Sequence, residues 1–118
     1  MRPEQIPEIV AHAHGEIRAQ LAYEYIFNRI FKSQVQLLQH LNVSGGTLPE
    51  ATVEHHYETV QKAYPNILKP EEMSNWLRYI EAYELVTWNG KMLTITPYGQ
   101  DFLVYLVKAG LNPETKGL

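Results

Sequence analysis

The chain has no cysteine, which excludes disulfides, thiolate metal ligands and a cysteine nucleophile, and suits a reducing compartment such as the cytoplasm. It has one aspartate, Asp101, and its three serines, Ser33, Ser44 and Ser74, each have a cap, loop or helix-surface explanation. None stands in the sharp turn or beside the base that an activated nucleophile needs, so the chain is expected not to be an enzyme. Positive charge is not in excess: 10 Lys and Arg against 13 Asp and Glu give a formal net charge of −3. That balance offers no global attraction for nucleic acid or anionic lipid. Long apolar runs are missing as well. The longest stretch without formal charge, Ser33 to Pro49, is full of Gln, Asn, Ser and Gly and does not read as membrane-spanning. Met1 to Glu8 holds two prolines and two glutamates ahead of any apolar run, unlike a secretory signal.

What is present suits one folded domain. At 118 residues there is enough chain for one core and too little for two. Hydrophobic residues make up 45%, and Tyr 8, Trp 2 and Phe 3 supply more aromatic surface than a disordered chain carries. No internal repeat or low-complexity tract interrupts it. From about Pro7 to Asn42, Ile9, Val10, Ala13, Ile17, Leu21, Tyr25, Ile26, Ile30 and Phe31 recur at helical spacing, and Leu37, Leu38 and Leu41 make a further stripe. Gly15 can dent this helix, and Ser33, a good N-cap, can restart it, so the stretch is one helix or two. Asn42-Val43-Ser44-Gly45-Gly46 is a loop. Thr47-Leu48-Pro49-Glu50 has the spacing of a capping box for a helix that turns Val53, Tyr57, Val60 and Tyr64 inward and stops at Tyr64-Pro65.

The second half is the more informative. Pro70-Glu71-Glu72 predicts a helix start, since proline suits the first turn and acids complement the positive end of the helix dipole. Met73, Trp76, Leu77, Ile80 and Tyr83 then form a core stripe that leaves Ser74, Asn75, Arg78 and Glu81 towards solvent. Leu85 to Trp88 and Lys91 to Ile95 read as a hairpin turning at Asn89-Gly90. With a two-residue turn there, Trp88 lies opposite Lys91 and Val86 opposite Leu93, and Val86, Trp88, Leu93 and Ile95 share a face. Thr96 then caps a helix that begins at Pro97, presents Phe102, Leu103, Leu106 and Val107, and ends at Gly110. Gly99 is costly in that helix unless something packs closely against it.

Leu93-Thr94-Ile95-Thr96-Pro97-Tyr98-Gly99-Gln100-Asp101-Phe102-Leu103 resembles the strand-to-last-helix junction of many bacterial winged-helix (winged helix-turn-helix) proteins. The likeness is to a superfamily and covers roughly Phe31 to Gly110. It implies a mostly α fold with a small β-hairpin: an N-terminal helical extension over 1–32, a winged-helix domain over 33–110 and a C-terminal tail over 111–118.

The histidines do not make a metal site by spacing. His12 and His14 point to opposite sides of a helix, and the adjacent His55 and His56 diverge by about 100°. Glu54 and Glu58 beside His55 read as solvated charges on a helix face. Ser44-Gly45-Gly46 lacks the strand, further glycine and lysine of a phosphate cradle. No metal and no cofactor is called for.

Two function classes fit. In DNA binding, a transcriptional regulator would read the duplex with helix 70–84 through Ser74, Asn75 and Arg78 and rest the wing, 85–96, on it through Lys91. Against this, Glu50, Glu54, Glu58, Glu71, Glu72, Glu81 and Glu84 outnumber Lys62, Lys69 and Arg78 on the docking helices, and phosphate attraction supplies most non-specific affinity. Arg78 also reads as an ion-pair partner for Glu81 or for an acid one turn back. Besides a third possibility, a soluble piece of a larger or membrane-attached protein, the second class is a non-catalytic module that works through protein contacts, as a homodimer or with a partner protein. Its N-terminal helix carries more apolar surface than a small core needs, with Tyr23, Tyr25, Phe27 and Phe31 unable to share one side. The seam Ile9, Ala13, Ile17 and Leu21 is then the self-association face, and light scattering at micromolar concentration is expected to report a dimer; a monomer would remove the seam.

Overall fold

In the computed structural model, which describes residues 20–118, the N-terminal stretch is divided at Ile30-Phe31. One helix, α1, occupies residues 20–29, and α2 follows at Lys32–Val43. The break is built by Phe31, whose backbone is extended (φ −86°, ψ 158°) and whose N–H donates to the Gln34 side-chain oxygen at 2.7 Å. That contact is the reach-back half of a capping box. Ser33, predicted as the cap, instead lies buried inside the first turn of α2.

The remaining elements are β1 (Thr47–Pro49), α3 (Glu50–Ala63), α4 (Met73–Ala82), β2 (Val86–Asn89), β3 (Met92–Ile95), α5 (Pro97–Ala109) and a 3-10 turn at Pro113–Thr115. The chain is thus mostly helical with a small antiparallel sheet, but the sheet has three strands in the order β1-β3-β2, where the sequence predicts only the hairpin. Thr47 is a strand residue opposite Thr94, not a helix cap. Its hydroxyl is buried without a hydrogen-bond partner among the described residues. Helix α3 starts after Pro49 with no side-chain cap. The Glu50 N–H, one of the amides a helix start leaves unpaired, donates to the Lys91 carbonyl at 2.9 Å. Pairing with β3 has replaced the capping box.

Helix α4 also starts later than predicted. Pro70 serves a turn closed by Glu72 N–H to the Lys69 carbonyl at 3.1 Å, with proline at the position a β-turn favours, and the helix begins at Met73. The hairpin register differs by two residues: Asn89 faces Met92, Trp88 faces Leu93 and Val86 faces Ile95. The loop is therefore Gly90-Lys91, with Gly90 at φ +63° and Lys91 outside the left-handed region, which fits a turn that needs glycine only at its first central position. A slip of two keeps every side chain on its face, so Val86, Leu93 and Ile95 are buried as predicted and Trp88 half-buried.

Helix α5 follows its sequence signals at both ends, although Val107, expected on its apolar face, is 83% exposed. Thr96 Oγ1 accepts from Gly99 N–H at 2.9 Å, Pro97 opens the helix, and Gly110 ends it at φ +69°. The core gathers Val35, Leu37, Leu38 and Leu41 of α2, Val53 and Tyr57 of α3, Trp76, Leu77 and Ile80 of α4, and Phe102 and Leu106 of α5. Helix α1 lies on α5, with the Tyr23 ring 5.2 Å from Tyr98, 5.8 Å from Phe102 and 5.3 Å from Tyr105. The segment predicted as a tail folds back over the α1–α2 junction. Lys116 Nζ donates to the Phe27 carbonyl at 2.5 Å, and Ser33 N–H donates to the Leu118 carbonyl at 3.0 Å. Among the described residues no helix is long and apolar enough to cross a membrane.

The close approach expected at Gly99 is present: a Cβ there would press on the Leu85 carbonyl oxygen and on Ile95 Cγ1 at 2.8 Å. The carbonyl belongs to backbone and cannot swing away. Gly99→Ala is expected to destabilise by about 1–3 kcal/mol through overpacking, whereas Gly117→Ala, with open space around it, changes little. Denaturant melts of both variants check this, and a Gly99→Ala midpoint equal to wild type would contradict the packing of α5 on Leu85.

Candidate functional site

The outer face of α4 and the hairpin beside it hold the residues that the sequence nominates. Ser74, Asn75 and Arg78 are exposed on α4, and Lys91 is exposed at the hairpin turn. They sit there because Trp76, Leu77 and Ile80 occupy the opposite side of the helix and are buried. Behind α4, polar contacts fix its position. The Trp76 indole N–H donates to Ser33 Oγ at 3.2 Å, and Gln34 Nε2 donates to the Trp76 carbonyl at 2.5 Å. Both Ser33 and Gln34 are buried, so these hydrogen bonds satisfy groups that water does not reach.

Between the start of α4 and the hairpin lies a groove of about 320 Å³, lined by Glu50, Met73, Ser74, Leu77, Glu81, Trp88 and Gly90. Of the nominated residues, Ser74 is the one on its wall. Glu50 and Glu81 are half-buried. Among the described residues neither carboxylate has an ion-pair or hydrogen-bond partner, the ion pair present being Lys32–Glu114 at 4.0 Å. Arg78 accordingly does not pair with Glu81 or with another described acid. Glu81, predicted to face solvent, turns towards the groove. Glu50 and Trp88 were not nominated from the sequence: Glu50 reaches the hairpin only because β1 pairs with β3, a strand the sequence did not reveal. A tryptophan close to Lys91 and the Asn89-Gly90 turn was the available signal.

The proposed self-association seam is described only at Leu21, which is 61% exposed; Ile9, Ala13 and Ile17 lie outside the described residues. Tyr25, one turn on, is 51% exposed, with the Arg29 guanidinium 4.4 Å from its ring centroid and Tyr83 edge-on at 6.2 Å. Tyr23, Phe27 and Ile30 turn inward. A second apolar groove, of about 260 Å³, runs between α2 and α5 past Val43, Val104, Val107 and Leu111.

Among the described residues no three histidines, aspartates or glutamates lie close enough to hold a metal ion. His55 is exposed on α3. The half-buried His56 turns inward, its Nε2 3.1 Å from the Ser33 carbonyl and its ring 5.9 Å from Trp76 and 6.4 Å from His40. A carbonyl only accepts, so Nε2 carries the proton in this contact and Nδ1 is the site left to protonate. No protein-family model, no curated protein and no solved structure matches the chain.

Burial holds the His56 pKa below its ordinary value; the Ser33 contact opposes this, and repulsion from His40 and His55 adds to it. A histidine with a depressed folded pKa binds fewer protons than in the unfolded chain, so its contribution to stability is present above the unfolded value and is lost as pH falls through the folded one. Wild type is expected to lose denaturant resistance more steeply than His56→Gln as pH falls from about 7 to about 5.5, the imidazole range. Parallel melts of the two proteins check this, and equal slopes would contradict it.

Proposed function

We propose that the chain is a non-catalytic winged-helix module that acts through protein–protein contacts, by self-association or as an adaptor or regulator. The order α2-β1-α3-α4-β2-β3-α5 with a β1-β3-β2 sheet is compatible with that fold, in which α4 takes the position of the DNA-reading helix and the hairpin that of the wing. The observation that carries the functional part is the groove between those two elements. Where a duplex backbone would run, Glu50 and Glu81 line the wall. Each carboxylate opposes the phosphate attraction that normally starts DNA binding. Exposed Leu21 and Tyr25 on α1 support an apolar contact with a second copy or a partner protein, continuing the row Ile9, Ala13, Ile17.

A second reading, a DNA-binding transcriptional regulator using residues 70–84 and 85–96, is favoured by one observation. Arg78 stands exposed beside Asn75 without a described ion-pair partner, which leaves its guanidinium available to a base or a phosphate.

Titration against a pool of random duplexes at low and moderate salt separates the two, with Arg78→Ala and Lys91→Ala as controls. Weak, unselective binding even at low salt, where charge attraction is least screened, is the expected outcome. Enrichment of a defined sequence that either variant abolishes would put the regulator first.

A further inference from the structure

We infer that the groove between α4 and the hairpin receives an arginine side chain from a basic segment of a partner protein; this rests on the protein-contact reading above and gives it a site. Three properties of the groove point to that occupant. Its apolar surface comes from Met73 and the half-buried Trp88, with Leu77 at the base, and the aliphatic stem of a long side chain can lie against it. The indole of Trp88 is the best aromatic partner for a cation, and a guanidinium is planar and stacks on it. Glu50 and Glu81 are partly withdrawn from water and without a described cationic partner. Neither carboxylate faces a described cation, and a guanidinium can meet one with paired N–H donors.

Charge around the groove selects a basic partner over an acidic one. Glu71 and Glu72 precede α4, while Lys91, the cation at the hairpin turn, is exposed and pairs with neither groove carboxylate. A phosphate-bearing ligand would meet like charge on two walls. A lysine ammonium would satisfy the charge but not the flat indole, and an uncharged side chain would leave both carboxylates as they are.

The chain has two tryptophans, Trp76 and Trp88, so each indole N–H gives one resonance in a ¹⁵N–¹H spectrum. The probes are a soluble peptide of alternating arginine and glycine, and the same peptide with citrulline, which keeps the shape and loses the charge. The arginine peptide is expected to shift the Trp88 indole resonance to saturation and leave that of Trp76 in place. Binding should weaken at least tenfold in the Glu50→Gln/Glu81→Gln double variant, and citrulline should produce no shift. If the double variant melts below wild type, Glu81→Gln alone, on the surface of α4, carries the comparison with a severalfold loss. An unmoved Trp88 resonance, an equal response to citrulline, or undiminished binding by the variants would overturn the assignment. Those results leave the protein-contact reading to the random-duplex titration, so the two fail separately.

Discussion

Gln34 is fully buried, and its side-chain amide fits in one orientation only. The oxygen must face the Phe31 N–H at the α1–α2 break, and the nitrogen must face the Trp76 carbonyl of α4. Leaving either backbone group unmet would cost about 1–3 kcal/mol. The same side chain therefore stops one helix, starts the next and ties both to a third. Ser33 extends the clasp. Its hydroxyl accepts from the Trp76 indole, its carbonyl meets His56 of α3, and its N–H donates to Leu118. With α2, α3, α4 and the C-terminal segment converging on two adjacent residues, α4 is held from behind, and the direction of its exposed face follows.

The front of α4 is organised by the sheet. Pairing of β1 with β3 carries the start of α3 up to the hairpin, where the Lys91 carbonyl accepts the Glu50 N–H. Thr96 secures the other end, its hydroxyl donating to the Glu84 carbonyl at 2.6 Å just beyond α4 while accepting from Gly99 at the start of α5. The groove is thus walled by three elements, each held by hydrogen bonds within the chain, before any partner is present. Preformed walls that carry unpaired glutamates suit the cationic side chain proposed above, because little ordering is left to offset on binding.

Much of the fold was legible where the signal is local. Thr96-Pro97 opening α5, Gly110 closing it and the core members of the α3 and α4 stripes, Val53, Tyr57, Trp76, Leu77 and Ile80, depend on neighbours within a turn or two and stand as read, whereas Tyr64 stays half-buried outside the core and Glu81 turns to the groove. The hairpin was legible in its faces and not in its register, because Asn89-Gly90 and Gly90-Lys91 are both plausible two-residue loops and the pleat has a period of two. Strand β1 was hidden: three residues ending in proline have no periodicity of their own, and Thr47-Leu48-Pro49-Glu50 carries a rival helix-start signal. The exposed residues Ser74, Asn75 and Arg78 followed from the helical stripe, whereas Glu50 and Trp88 meet at the groove only through the missed strand. Gln34 was invisible for the same reason, since Trp76 lies 42 residues away and a glutamine between a serine and a valine reads as surface.

If the clasp holds α4 in place independently of any partner, its most direct report is exchange of the Trp76 indole N–H with solvent deuterium, measured beside that of Trp88. The Trp76 proton, hydrogen-bonded to Ser33 in the core, should exchange only through global unfolding, with a protection free energy equal to that from the denaturant melt. Exchange of Trp76 through a local opening, as fast as that of the half-buried Trp88 on the hairpin, would mean that α4 is not held from behind and that its exposed face is not preformed.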